Sequence, residues 1–255
     1  MRMKKVINRL FRLIGYEIRK VRHIEQAGTD NRPIGNMLML LEDLKERGLN
    51  CKSILDVGAN KTSWSKMAKK IFPDAWVYLI EPQIEMLGYM ESFCKEFENS
   101  NYFLVAAGAK EGFLTLTIWD DLEGSSLIPK PDENLKISGK QRQVEIKVID
   151  DLIESSKIKL PELIKLDIQG FELEALRGAK KTFGYTEVYI LEVSMFSSDE
   201  MQPMLSDVVT FMLERDYVVY DFPGFLRRPL DGALGQCDIC FVKREGFLRS
   251  SNYWN

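Results

Sequence analysis

The sequence predicts an α/β protein built on a mostly parallel sheet with helices on both faces. Two observations carry this. Strand-like and helix-like stretches alternate along most of the chain, which is the pattern of βαβ units. Several of the strand-like stretches are also continuous apolar runs, as expected of strands buried on both sides. The elements follow in order. Residues 36–48 (NMLMLLEDLKERG) form a helix with Gly48 past its end. SILDVG (53–58) is a buried strand, and 63–71 is helical. WVYLIE (76–81) is a strand, 84–97 a helix and NYFLVAA (101–107) a strand. FLTLTIW (113–119) and QVEIKVI (143–149) alternate as half-exposed strands. LIKLDI (163–168) is a strand followed by a short helix over 171–176, and EVYILEVS (187–194) is another strand. A helix over 201–215 leads into closing strands YVVYDF (217–222) and QCDICFVK (236–243). Residues 120–142 are polar, with Gly124, Pro129, Pro131 and Gly139, and read as a mobile loop or lid.

Composition bounds the rest. The chain has 255 residues, 45% apolar and 29% charged, which suits one folded domain with additions and excludes bulk disorder. No apolar run approaches the ~18 residues of a membrane-spanning helix, and no secretory signal is visible. The formal charge of −3 argues against a general nucleic-acid binder. Cys51, Cys94, Cys237 and Cys240 are sporadic, which fits a reducing, cytoplasmic setting. Cys237 and Cys240 would point to opposite faces of one strand, so they read as core cysteines and not as a zinc pair. The single histidine, His23, leaves almost nothing for histidine-based catalysis or a multi-histidine metal site.

Charge is uneven. Residues 1–22 hold eight Lys/Arg against one Glu, with Val6, Leu10, Leu13, Ile14 and Ile18 at near-helical spacing. Residues 1–35 are therefore assigned as a basic amphipathic helix and linker. Peripheral contact with an anionic membrane surface is one reading; a helix packed on the domain with a solvated basic face is the other.

Ligands of parallel sheets bind outside the carboxyl ends of the strands, so the strand-closing residues carry the functional information. The first turn is Asp56-Val57-Gly58-Ala59-Asn60-Lys61-Thr62, and Glu81 closes the next strand 23 residues after Gly58. An acidic residue there can accept hydrogen bonds from both hydroxyls of a ribose. A nicotinamide dinucleotide needs G-x-G-x-x-G, and Asn60 and Ser63 occupy its second and third glycine positions. A phosphate loop needs glycines where Leu55 and Asn60 stand. S-adenosylmethionine has no phosphate and carries a positive sulfonium and amine, which Asp56 suits, while Glu81 suits its ribose.

A second segment selects among these. Residues 164–179 read IKLDIQGFELEALRGA. With ILDVGAN, LIEP, GSSL (124–127), LEVS (191–194) and Q-x-D-x-x-F-V (236–242), it resembles the FkbM family of S-adenosylmethionine-dependent methyltransferases over roughly residues 50–245. The resemblance implies a Rossmann-like class I methyltransferase domain over 36–250 with a seven-stranded, mostly parallel sheet. It also implies O-methylation of a hydroxyl on a sugar, glycan or secondary metabolite. Asp56, Gly58, Ala59, Asn60, Glu81 and Ala107 are the expected cofactor-binding residues. An alcohol needs a base, and with no core histidine a carboxylate must serve: Asp167 first, Glu172 second. A divalent cation on Asp167 with Asp120, Asp121 or Glu192 is not demanded by the spacing, and no metal is predicted. Trp119, Ser125, Ser126, Phe196, Phe225 and Arg227 are expected to wall the acceptor site. Two residues depart from the family pattern. Thr62 stands where glycine is usual, in the expected path of the cofactor's methionine tail, and Gln169 stands where glutamate is usual. They motivate the alternative of a weakly active or non-catalytic module in a glycan-synthesis assembly.

Overall fold

The computed structural model describes residues 33–155, 158–197 and 202–251. The expected helix over 1–22, the linker up to residue 32, His23 and the first residue of the expected 201–215 helix lie outside them.

The described residues form α1 (Met37–Glu46), β1 (Ser53–Val57), α2 (Ser63–Ile71), β2 (Trp76–Ile80), α3 (Leu87–Glu96), β3 (Ser100–Phe103), β4 (Ala106–Ala107), β5 (Gly112–Thr117), α4 (Glu133–Ile137), β6 (Gln141–Lys147), α5 (Ile149–Ser155), β7 (Leu163–Leu166), α6 (Glu172–Arg177), β8 (Val188–Ser194), α7 (Leu205–Leu213), β9 (Tyr217–Arg227) and β10 (Leu234–Lys243). Seven strands make one sheet in the order β3-β2-β1-β7-β8-β10-β9. All neighbours pair in parallel except β10, which runs antiparallel to both β8 and β9. The predicted seven-stranded, mostly parallel sheet is therefore present.

Strand alternation sorts the core into two layers. Leu55, Val57, Tyr78, Ile80, Tyr189 and Leu191 face α5, α6 and α7, packing with Leu152, Leu176 and Phe211. Ile54, Val77, Leu79, Val188 and Ile190 face the other way, packing with Leu40 and Leu44 of α1, Trp64 and Ala68 of α2 and Phe93 of α3. Cys237 belongs to the first layer and Cys240 to the second, as two residues three apart on a strand must.

Three expectations are corrected. The stretch 101–107 is two strands, β3 in the large sheet and β4 in a separate sheet of order β4-β6-β5. Ile149, expected to end the strand over 143–149, instead opens the helix α5. The 120–142 segment, expected as a loop or lid, contains the short helix α4. Its α4 is capped by Asp132, whose Oδ1 accepts from the Asn134 and Leu135 amides at 2.8 and 3.0 Å, and its first half is bound to the edge of the large sheet at the points given below.

Candidate active site

A cavity of about 620 Å³ opens at the carboxyl edge of the large sheet, within the ~300–1,000 Å³ span of small-molecule sites. Its floor is the β1–α2 turn. That turn is conformationally demanding: Gly58, Asn60 and Thr62 all have positive φ, at +83°, +45° and +63°. Gly58 has a second reason to be glycine, because a Cβ there would lie 1.9 Å from the Asp167 carbonyl oxygen. The turns after β1 and β7 thus touch backbone to backbone, which brings the Asp56 and Asp167 segments together.

Of the expected cofactor residues, Gly58, Ala59, Asn60, Glu81 and Ala107 line the cavity. Glu81 is 3% exposed. Its Oε2 accepts from the Asn60 amide at 2.9 Å and its Oε1 from the Gln83 amide at 3.0 Å. Burial pushes its pKa up, and those amides pull against the rise. Each oxygen keeps lone-pair capacity for a ligand.

Asp56 does not line the cavity, which corrects the expectation that it contacts a ligand. It pairs in register with Lys165, two residues deeper than Asp167, and is 1% exposed. The Ser65 hydroxyl donates to its Oδ2, while Oδ1 is buried without a protein partner. Burial raises its pKa, and Lys165 opposes this. Asp56 is therefore a buried counter-charge beneath the floor. Thr62 is also corrected. Its side chain does not line the cavity but is 1% exposed in the interior, so it does not obstruct the cavity.

Asp167 lines the far side with Lys165, Gln169, Glu192, Gln236 and Asp238. Lys165 Nζ donates to Asp167 Oδ2 at 2.9 Å, and Gln169 Nε2 donates to Oδ1 at 3.1 Å. Burial would raise the Asp167 pKa, but Lys165 outweighs it and holds the carboxylate below its usual range. Lys165 lies 5.9 Å from the centre of the Trp64 ring, which also lines the cavity. Glu172, the second base candidate, is absent from the cavity lining. Its Oε1 accepts from the Ile168 and Gly170 amides at 3.0 and 3.2 Å, tying down a turn in which Gln169 and Gly170 have φ of +53° and +96°. Glu172 therefore holds the turn that carries Gln169 and does not meet a ligand.

The segment from Trp119 to Leu127 covers one side of the cavity and is pinned at three points. Lys61 Nζ donates to Glu123 Oε1 at 2.9 Å, Gln83 Nε2 to the Leu122 carbonyl at 3.0 Å and Ser126 Oγ to the Gln169 carbonyl at 2.8 Å. Ser125 and Ser126 line the cavity as expected. Trp119, Phe196, Phe225 and Arg227 do not; Leu226 takes the place expected of its neighbours. Asp120 pairs with Lys140, outside the cavity lining. Among the described residues no group of three or more His, Cys, Asp or Glu is arranged as a metal site.

Sequence reasoning assigned no role to Lys165, Gln236 and Asp238. Lys165 carried a signal: a lysine two residues before Asp167 shares its face. Gln236 and Asp238 carried one only as part of the family resemblance, because β10 is reversed, and its beginning, not its end, reaches the carboxyl edge.

The cavity lining carries six carboxyl side chains (Glu81, Asp121, Glu123, Asp167, Glu192, Asp238) against two lysines, Lys61 and Lys165. Such a surface favours a cationic ligand. Among the described residues no helix is long and apolar enough to cross a membrane.

No curated protein sequence matches the chain. Among solved structures it is similar to the O-methyltransferase TomG of Streptomyces achromogenes, in complex with SAM (10% identity, covering 94% of this chain and 98% of that one, TM-score 0.48). It is also similar to precorrin-6y C5,15-methyltransferase of Geobacter metallireducens (16%, 81% and 86%, TM-score 0.46) and to magnesium protoporphyrin IX methyltransferase of Synechocystis (12%, 94% and 96%, TM-score 0.46). At these scores the likenesses carry no functional argument. The model of the methyltransferase FkbM domain matches residues 56–219, from Asp56 through the whole parallel core, and on that match the chain belongs to the FkbM methyltransferase-domain family.

Proposed function

We propose that the protein is an S-adenosylmethionine-dependent methyltransferase that methylates a hydroxyl of a sugar, glycan or secondary metabolite. The observation that carries this is the acidic cavity in which Glu81, fixed by two backbone amides, stands beside the Gly58–Asn60 turn. The residues fit the cofactor. Glu81 has free acceptor capacity for a ribose, the turn presents backbone without phosphate-binding glycines, and the carboxyl excess suits a sulfonium and an amine.

When bound, the cofactor supplies a methyl group on a positively charged sulfur. The chain's part is placement. Glu81 anchors the nucleoside, and Gly58, Ala59, Asn60 and Ala107 give it close backbone and small-residue contacts. Alignment of this kind is worth roughly 7–11 kcal/mol of barrier. Asp167, kept ionised by Lys165, is placed to accept a hydrogen bond from the acceptor hydroxyl and orient its oxygen. Its depressed pKa suits orientation better than proton abstraction. Thr62 lies outside the cavity, which removes the steric ground for a non-catalytic module.

The reading also keeps a cytoplasmic setting, with contact between residues 1–22 and an anionic membrane surface as one of the two readings of that segment. Sedimentation of the full chain with phosphatidylserine vesicles, lost on deleting those residues, is the expected result for that part.

The direct test is calorimetric titration with S-adenosylhomocysteine, followed by a methyl-transfer assay against hydroxylated acceptors. Wild type binds with one site. Glu81→Ala binds more weakly by about 1.5–3 kcal/mol, the worth of hydrogen bonds to a charged group. Equal binding in both would refute the placement of the nucleoside.

A further inference from the structure

Three carboxyl groups stand in one row across the carboxyl edge of the sheet. Asp167 follows Leu166, which is in register with Leu191 on β8. Glu192 follows Leu191 and lies directly opposite Asp238 on β10. Like charges directly opposite on neighbouring strands repel, and carboxylates sharing one site cannot all ionise.

The surroundings of Glu192 are well defined. From β7 it faces Lys165 and Asp167, from the following turn Gln169, from α6 Glu172, and from β10 Gln236 and Asp238. Lys165 is already engaged by Asp167, and Lys61 by Glu123. Gln169 and Gln236 both donate to Glu192 Oε2, at 2.7 and 3.0 Å. Gln169 uses the same nitrogen for Asp167, so it bridges the two carboxyl groups. Burial, then Asp167 and Glu172, push the Glu192 pKa up to about 9. Asp238 rises to about 6, mainly through burial. Glu192 is the member of the row that carries a proton at neutral pH.

We propose that the Asp167–Glu192–Asp238 row is a charge-sensing proton store, in which a cationic ligand drives the proton from Glu192 and the resulting carboxylate takes the proton of the acceptor hydroxyl. This rests on the methyltransferase reading above and assigns the catalytic base to a residue outside the two first expected. The step balances. The acceptor oxygen forms its bond to the methyl carbon, and the carbon–sulfur bond breaks with its electron pair left on sulfur. The sulfur becomes neutral, and the hydroxyl proton returns to Glu192. One proton leaves to solvent when the next cationic cofactor enters. A positive charge bound beside a carboxyl group favours its ionised form, so a cationic ligand in the cavity shifts Glu192 toward the carboxylate.

The test is proton linkage measured by calorimetry at pH 8 in buffers of different ionisation enthalpy. S-adenosylmethionine and its neutral-sulfur product S-adenosylhomocysteine are compared on wild type and Glu192→Gln. Wild type should release a large fraction of a proton with S-adenosylmethionine beyond what Glu192→Gln releases, and the two proteins should agree with S-adenosylhomocysteine. Infrared difference spectra of wild type should show a protonated-carboxyl band that bleaches with S-adenosylmethionine only. That arm does not depend on the variant's folding. Turnover of Glu192→Gln should fall by about 10²–10⁴-fold, with the acid limb of its pH profile lost. Equal proton release in the two proteins, or no bleached band, overturns the inference. Failure of wild type to bind either ligand overturns the methyltransferase reading instead.

Discussion

Replacing Gly58 by alanine tests the contact on which the site is built. Two costs can be read from the structure. The backbone at φ +83° costs an L-residue about 1–2 kcal/mol. The added Cβ would also lie 1.9 Å from the Asp167 carbonyl oxygen and 2.8 Å from its carbon. Both are backbone atoms, so the turns after β1 and β7 must separate, at about 1–3 kcal/mol for forced overpacking. The expected loss is about 2–5 kcal/mol, a large part of the ~5–15 kcal/mol of a typical domain. Gly184 provides the control. It has the same φ of +83°, and nothing lies within 4 Å of a Cβ built there, so Gly184→Ala should show the conformational cost alone. Urea denaturation with matched m-values measures both. Titration with S-adenosylhomocysteine should also show weakened binding for Gly58→Ala only, because Asp167 moves with its carbonyl. If Gly58→Ala is no more destabilising than Gly184→Ala, the close approach of the two turns is not what holds the site.

Lys165→Met should destabilise the fold by about 3–5 kcal/mol in the same assay, since it leaves Asp56 buried, and Asp167 partly buried, without their cation; a loss under about 1 kcal/mol would contradict the counter-charge role given to Asp56. Stability should fall as pH rises from about 5 to 9, because Glu192, Glu172 and Asp238 have pKa values raised to about 9, 7 and 6. The folded protein holds protons that the unfolded chain has lost in that window. Glu192→Gln should flatten the upper part of the thermal-melt profile. Asp167, with a depressed pKa, acts in the opposite sense, its contribution disappearing only as the pH drops below the ordinary carboxylate range. Thr62→Gly should leave the affinity for S-adenosylhomocysteine within about 0.5 kcal/mol of wild type, as for a site that does not touch the ligand. Glu172→Ala should cost about 1–3 kcal/mol by stranding turn amides, and it should move proton release to lower pH, because Glu172 is one of the charges that raise the Glu192 pKa.

Much of this protein was legible in its residues. The periodicity of SILDV, WVYLI, LIKL and VYILEVS specifies strands buried on both faces, because only a sheet covered twice can use consecutive apolar residues. The short apolar repeats of 63–71 and 84–97 supply helices to cover it. Glu81, Gly58, Asn60 and Asp167 were found because parallel strands end at the ligand edge, so position along the chain and position in the site coincide. Tertiary structure decided the remainder. Asp56 and Asp167 look alike as strand-closing acids, yet strand register puts one two residues below the other, where Ser65 of α2 and Lys165 neighbour it. Glu172 looked like a base and is spent on a turn. Glu192 was visible only as a strand end, and its raised pKa follows from burial beside Asp167 and Glu172, to which Asp238 adds from the reversed strand β10. Local pattern reports which faces are apolar. It cannot report which carboxyl groups are brought into repulsive contact, since that energy depends on pairing between strands distant in sequence.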